Sequence, residues 1–239
     1  IAAEVAVNSL TNRFQQEART TLRRPKEFLE SAIHSAHRAI VAFADQHDML
    51  ECPRTTIVAC IVQNGKACWA HSGDSRLYFV RNGKIAGATK DHSRVQQLIE
   101  SGIITVEQAA VHPDRNKIYN CLGGVLPPLV THSEEWNLKV GDTILMSTDG
   151  FWGPLNADFI AAKLAREDIV ELMPKLLEEA ERKAEEAAAA VARVVEPLPA
   201  TPTSMARLFT SGVWERTYAT ADLRIHGTTQ PWTIGTAAS

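Results

Sequence analysis

Ala3, Val7, Leu10, Phe14, Ala18 and Leu22 recur every three or four residues, which predicts one face of a helix over 3–22. Pro25 punctuates, and a second stripe at Leu29, Ile33, Ala36, Ile40 and Phe43 predicts another helix. The period then changes. Residues 55–62 form a short, β-branched run dense in apolar side chains, the pattern of a strand buried on both faces. Asn64-Gly65 and Asn82-Gly83 tolerate positive φ, and they punctuate the strand-like runs 66–72 and 75–80, so an antiparallel meander is expected.

One or two short helices are expected over 93–110, with Gly102 as a stop. Strand character returns at 130–138 and 142–147 around a Gly141-Asp142 turn, and a helical pattern runs from Ala157 to about Arg182. Residues 184–195 are Ala-rich, favourable for a helix but poor in large apolar side chains. Residues 197–239 are rich in Thr and Pro and show little periodicity, which reads as a poorly ordered tail.

Composition narrows the class. The 239 residues are 45% hydrophobic and 22% charged, which excludes a wholly disordered or fibrous chain. A net charge of -3 supplies no basic field for nucleic acid or an anionic membrane. The longest apolar runs fall well short of a bilayer span. Cys52, Cys60, Cys68 and Cys121 contain no CxxC pair and read as buried thiols of a reducing compartment. Ile1-Ala2-Ala3-Glu4 lacks a secretory-signal pattern, so a cytoplasmic, monomeric protein is expected. The start at Ile1 reads as a fragment or a trimmed product.

Two carboxylates stand out on local chemistry. Asp74 lies in Ser72-Gly73-Asp74-Ser75-Arg76 at a break between strands, and Asp149 lies in Ser147-Thr148-Asp149-Gly150 after an apolar strand end. Carboxylates freed at strand ends and converging would make an oxygen-rich site for Mg²⁺ or Mn²⁺. Either motif alone reads more readily as an Asx-turn closing a hairpin. His34 and His37 share a helix face without a completing ligand, so a solvated or half-buried pair is expected. His92 follows Asp91, whose carboxylate could fix its tautomer, unless the contact is a local cap. Gly123-Gly124 lacks the Lys and the strand–loop–helix context of a phosphate loop.

The order of motifs is more specific than any one of them. Arg54-Thr55-Thr56, the run 70–78 around Gly73-Asp74-Ser75-Arg76, Thr89-Lys90-Asp91-His92-Ser93, the run 116–124 and the run 141–152 resemble the middle of the PP2C family of metal-dependent protein Ser/Thr phosphatases. The resemblance covers about residues 1–183. It implies an α+β fold: a four-layer α-β-β-α sandwich of two antiparallel sheets flanked by helices, incomplete at both ends. It also implies a binuclear Mn²⁺ or Mg²⁺ centre at one end, whose bridging water attacks phosphoserine or phosphothreonine in protein substrates. Asp149 matches the family Asp of the core metal pair, and Asp74 matches the Asp that helps hold a third metal. Residues 93–115 would be the flap beside the site, and 184–239 the Ala-rich, then Thr/Pro-rich, tail.

The chain also departs from the family pattern. No Asn-Glu-Asp or Asp-Gly-Met-Gly-Gly-His segment is present, and the final strand opening with Asp-Asn is missing after Arg182-Lys183. Asp222-Leu223 is a poor substitute, and Gly153 stands where many members place an acidic ligand. A dication pair needs several carboxylates to offset its desolvation, so weak metal binding and slow or absent turnover are expected. The competing expectation is a catalytically inactive, phosphatase-like binding module.

Overall fold

The computed structural model describes residues 1–17 and 21–183, together with the backbone of 189–193, 207–210 and 220–222. Helices α1 (Ala2–Glu17) and α2 (Pro25–Gln46) come first, with Pro25 at the start of α2 where a missing N–H costs nothing. Strands β1 (Ile57–Gln63), β2 (Lys66–Ser72), β3 (Arg76–Arg81) and β4 (Lys84–Ala88) follow. Both Asn-Gly turns hold positive φ at each residue: 51° and 69° at Asn64-Gly65, 52° and 72° at Asn82-Gly83. That geometry matches the right-handed twist of the strands each turn joins.

Next come α3 (Arg94–Glu100), α4 (Val106–Ala110), β5 (Thr131–His132), β6 (Trp136–Asn137), β7 (Thr143–Ser147), α5 (Asp149–Trp152), α6 (Ala157–Arg166) and α7 (Ile169–Lys183). Gly102 stops α3 at a φ of 68°. The reading of one strand over 130–138 gives way to two short ones. Ser133 interrupts them by exchanging hydrogen bonds with Trp69, its amide to the carbonyl and its hydroxyl from the amide, both at 2.9 Å. The long helix expected over 157–182 is two helices, because Asp168 turns its carboxylate onto the amide of Val170 at 2.8 Å and restarts the backbone ladder.

Three further strands, β8 (Ala189–Arg193), β9 (Arg207–Thr210) and β10 (Thr220–Asp222), fall in the stretch read from sequence as a tail. The rest of that stretch, and Ala18 of the first helical stripe, lie outside the described residues. β9 pairs with β1 and β8 pairs with β7, so unpaired edges of both sheets recruit segments whose local sequence favours other states. The sheets run β5-β2-β1-β9, with β6 also on β2, and β10-β8-β7-β3-β4. Pairing is antiparallel apart from the β8–β10 pair.

The period-2 alternation of the apolar strands builds the layers. Ile57, Ala59 and Ile61 of β1 face α1 and α2, packing with Leu10, Leu29, Ile33 and Ile40. Val58, Cys60 and Val62 face inward, where they meet Trp69, Leu77, Phe79, Ile144 and Met146 across the gap between the sheets. Tyr78, Val80 and Leu145 point outward onto Phe151, Leu164, Leu172 and Leu176 of α5–α7. The result is the four-layer α-β-β-α sandwich expected from sequence. Four cysteines remain free thiols. No helix among the described residues is long and apolar enough to cross a membrane.

Phe79 is fully buried at the centre of the inter-sheet layer, stacked near Trp69 and Trp136. Phe79→Ala should therefore lower unfolding stability by about 3–5 kcal/mol, read as a shift of the urea midpoint with an unchanged slope.

Candidate functional site

Asp74 sits where the chain leaves β2 in one sheet and enters β3 in the other, so its position is fixed by the crossover between layers. Gly73 makes that crossover with a φ of 109°, and a Cβ there would stand 2.3 Å from Cγ2 of Thr56. Only glycine fits. On the other side, Ser75 shares a hydrogen bond of 2.8 Å with the Thr56 hydroxyl. Thr56 thus braces the turn from both flanks of Asp74.

Asp149 follows the buried end of β7 and opens the single-turn helix α5, its Oδ1 accepting the Gly150 amide at 3.0 Å. Trp152, at the end of the same turn, donates its indole Nε1–H to the Asp74 carbonyl at 3.1 Å. The two carboxylate-bearing segments, from separate parts of the chain, therefore meet at one end of the sandwich. Burial, then the negative charge of Asp149, then that of Asp91, push the Asp74 carboxyl up to about 7.

Arg76 organises the floor. Its Nε and Nη2 donate to the two oxygens of Asp91, each at 2.8 Å, while Nη1 donates to the Tyr78 hydroxyl at 3.0 Å. The guanidinium carbon lies 3.4 Å from the centroid of the Trp152 ring. Asp91 is thus committed to Arg76 and does not set the His92 tautomer, as its place in the sequence had suggested. A two-bond fork to a half-buried guanidinium outweighs a neighbouring imidazole.

His92 has a different task. Its Nδ1 accepts the Gly73 amide at 3.1 Å, and its own amide donates to the Gly73 carbonyl at 2.9 Å. The Asn120 amide also points at Nδ1, at 2.6 Å, so the ring proton lies on Nε2 and is donated to the Thr131 hydroxyl at 2.9 Å. His71 stacks on His92 at 4.6 Å between centroids. Burial, and then His71, drive His92 down to about 4, so both rings are neutral. His37 is likewise structural, its Nδ1 accepting the Gly123 amide at 3.1 Å, and it makes no pair with His34 for a metal.

The donors that converge are two carboxylates, and their mutual repulsion with Asp74 half-buried suits one hard divalent cation with water completing its shell. They do not by themselves make a binuclear centre. Among the described residues no group of three or more His, Cys, Asp or Glu side chains could hold a metal ion. Gly153 contributes no donor, and a Cβ there would fall 2.6 Å from the Asp149 carbonyl, so an acidic side chain would require α5 to shift. Asp222 closes β10 in the row of Arg193 and Thr143, at the end of β7 remote from Asp149 and about 13 Å along the strand from Ser147.

The neighbours of this chain among known proteins agree with the geometry. No protein-family model matches the sequence. It is 32% identical over 151 residues to the serine/threonine protein phosphatase PstP of Mycobacterium tuberculosis, and 31% identical over 164 residues to a phosphatase 2C-type protein of Streptococcus pyogenes. The solved serine/threonine phosphatase of S. agalactiae shares its fold with a TM-score of 0.72 at 28% identity, over 82% of this chain and 81% of that one. This chain belongs to the PP2C family. Its matched part is 63% of the chain against PstP and 69% against the streptococcal protein, and it spans 29% and 66% of their respective lengths. The catalytic domain of PstP, solved in complex with two manganese ions, matches at a TM-score of 0.66 and 27% identity over 80% of this PP2C chain.

Two pH effects follow from the site. Asp74 holds its proton more tightly folded, at about 7 against 3.8 unfolded, so its stabilising contribution is complete below 3.8 and lost as pH rises through 7. Asp74→Asn should therefore stabilise the metal-free chain by roughly 1–3 kcal/mol near about pH 8 and change little near about pH 3.5, by urea unfolding. His92 runs the other way. Its contribution is present above 6.5 and lost as pH falls toward 4, so the Asp74→Asn chain, free of the opposing Asp74 change, should lose roughly 1–3 kcal/mol over that interval by urea unfolding. Stability of the Asp74→Asn chain that stayed flat across that acid limb would contradict a neutral, buried His92.

Proposed function

We propose that this chain carries part of the centre of a metal-dependent protein serine/threonine phosphatase acting on phosphoserine and phosphothreonine proteins. Asp74 and Asp149 are its carboxylate ligands for Mn²⁺ or Mg²⁺. The observation that carries the reading is the meeting of these two carboxylates at one end of a PP2C sandwich, where the charge of Asp149 raises the cost of charging Asp74. When bound, a divalent ion would supply an activated water and offset charge developing on the phosphoryl oxygens. The chain's own part is positional. Asp74 gives up its proton when a cation takes the site, so cation affinity strengthens as pH rises toward about 7 and levels off above it. The segment 93–115, carrying α3 and α4, serves as the flap that borders bound substrate. It is tied to the floor through the Arg94 amide, which donates to the Lys117 carbonyl at 2.8 Å, and the Tyr119 amide, which donates to the His92 carbonyl at 2.9 Å.

A second reading has an observation of its own. With two converging carboxylates among the described residues and no larger ligand cluster there, the domain suits a phosphatase-like binding module that recognises phosphorylated partners without turnover.

Calorimetric Mn²⁺ titration of the purified chain, with p-nitrophenyl phosphate hydrolysis on the same sample, separates the two readings. Saturable Mn²⁺ binding that supports turnover, both reduced at least tenfold in Asp149→Asn, is the expected result for the phosphatase. A folded chain that binds phosphopeptide yet shows no Mn²⁺-dependent hydrolysis would leave the binding module standing instead.

A further inference from the structure

The two carboxylates of the site belong to segments with no covalent reason to hold a fixed spacing. Asp74 rides on the inter-sheet crossover, and Asp149 rides on a helix of one turn. Trp152 joins them. It lies three residues after Asp149 in the same turn, and its Nε1–H ends on the Asp74 carbonyl at 3.1 Å. Next to it, Phe151 is fully buried against α6 and α7 and fixes the turn to the outer layer.

The indole is itself held in place. The Arg76 guanidinium covers its face at 3.4 Å, a cation–π contact, and that guanidinium cannot swing away because Asp91 and Tyr78 occupy its three donating nitrogens. From the opposite side, His92 fastens Gly73 through both its amide and its carbonyl. Both peptide units flanking the Asp74 Cα are thereby restrained, one by the His92 amide from the loop before α3 and one by the Trp152 ring from α5.

We propose that Trp152 is a positioning residue that sets the separation of the Asp74 and Asp149 carboxylates through its indole N–H, with the Arg76–Asp91 pair holding the ring in the donating pose. This rests on the metal-dependent reading for its functional meaning, but not for its geometry. A tryptophan that merely filled space would do so equally well without its N–H, and that difference is measurable.

The experiment compares the full chain with Trp152→Phe and with a variant carrying benzothienylalanine at 152, which keeps the bicyclic area and replaces N–H by sulfur. Arg13→Ala, whose contacts with Glu17, Ser35 and Phe28 lie in the α1–α2 layer, is the control. Mn²⁺ affinity is read by calorimetry, and amide hydrogen exchange at Gly73 and Asp74 is read on the metal-free chain. Loss of the N–H should weaken Mn²⁺ binding roughly 3–10-fold and speed exchange at Gly73 by a similar factor, while exchange at Leu145 in β7 stays unchanged. The Arg13 control should match the wild type in both. Unchanged affinity and exchange in the benzothienyl variant would overturn the proposal, as would faster exchange spread evenly over the whole chain. If Trp152→Phe fails to fold, the benzothienyl variant decides. If the unsubstituted chain binds no Mn²⁺, the phosphatase reading fails separately, and the Gly73 exchange still tests the positioning role.

Discussion

The structure turns on one steric constraint, the contact between Gly73 and Thr56. The backbone must pass from one sheet to the other within four residues, and it does so with a left-handed glycine pressed onto a threonine side chain of β1's approach. Everything at this end of the sandwich depends on that contact. The crossover fixes where β3 begins, β3 brings Arg76 to the floor, and Arg76 holds both Asp91 and the Trp152 ring. A side chain at position 73 would have to separate the sheets at the corner where the carboxylates converge.

Electrostatics and packing pull against each other here. The sandwich draws Asp74 into a half-buried corner beside Asp149, and the folded chain answers by raising its affinity for a proton. Two neutral, stacked imidazoles lie beneath, so no cationic ring offsets the carboxylates from below. The positive charge that is present, on Arg76, is turned toward Asp91. The corner is left with a carboxyl that resists charging, a property of the arrangement and not of Asp74 alone.

Much of this was legible in the chain. The unbroken apolar run of β1 from Ile57 to Val62 announced two buried faces, and the Asn-Gly pairs announced their hairpins, because both signals are local and sterically enforced. Asp74 and Asp149 were legible as candidates, whereas Trp152 was not, since an indole N–H has no sequence signature until its acceptor is known. The pairing of Asp91 with Arg76 went unseen for a related reason. Its partner Arg76 lies 15 residues away, and sequence adjacency favoured His92. The strands β8–β10 were hidden because the Ala-rich segment favours a helix by itself and the Thr/Pro-rich one shows no period, and an open sheet edge overrides both.

The hairpin–crossover–hairpin order of β1–β4 bears on how the molecule assembles. Residues 57–88 contain a strand pair from each sheet, each closed by a two-residue turn, so both pairs form within microseconds from contacts close in sequence. The crossover then juxtaposes their apolar faces while β7, more than fifty residues downstream, is still unpaired. This short stretch holds a seed of both layers and of the interface between them, so the slow search is left to the outlying strands and helices that close over a sandwich already begun.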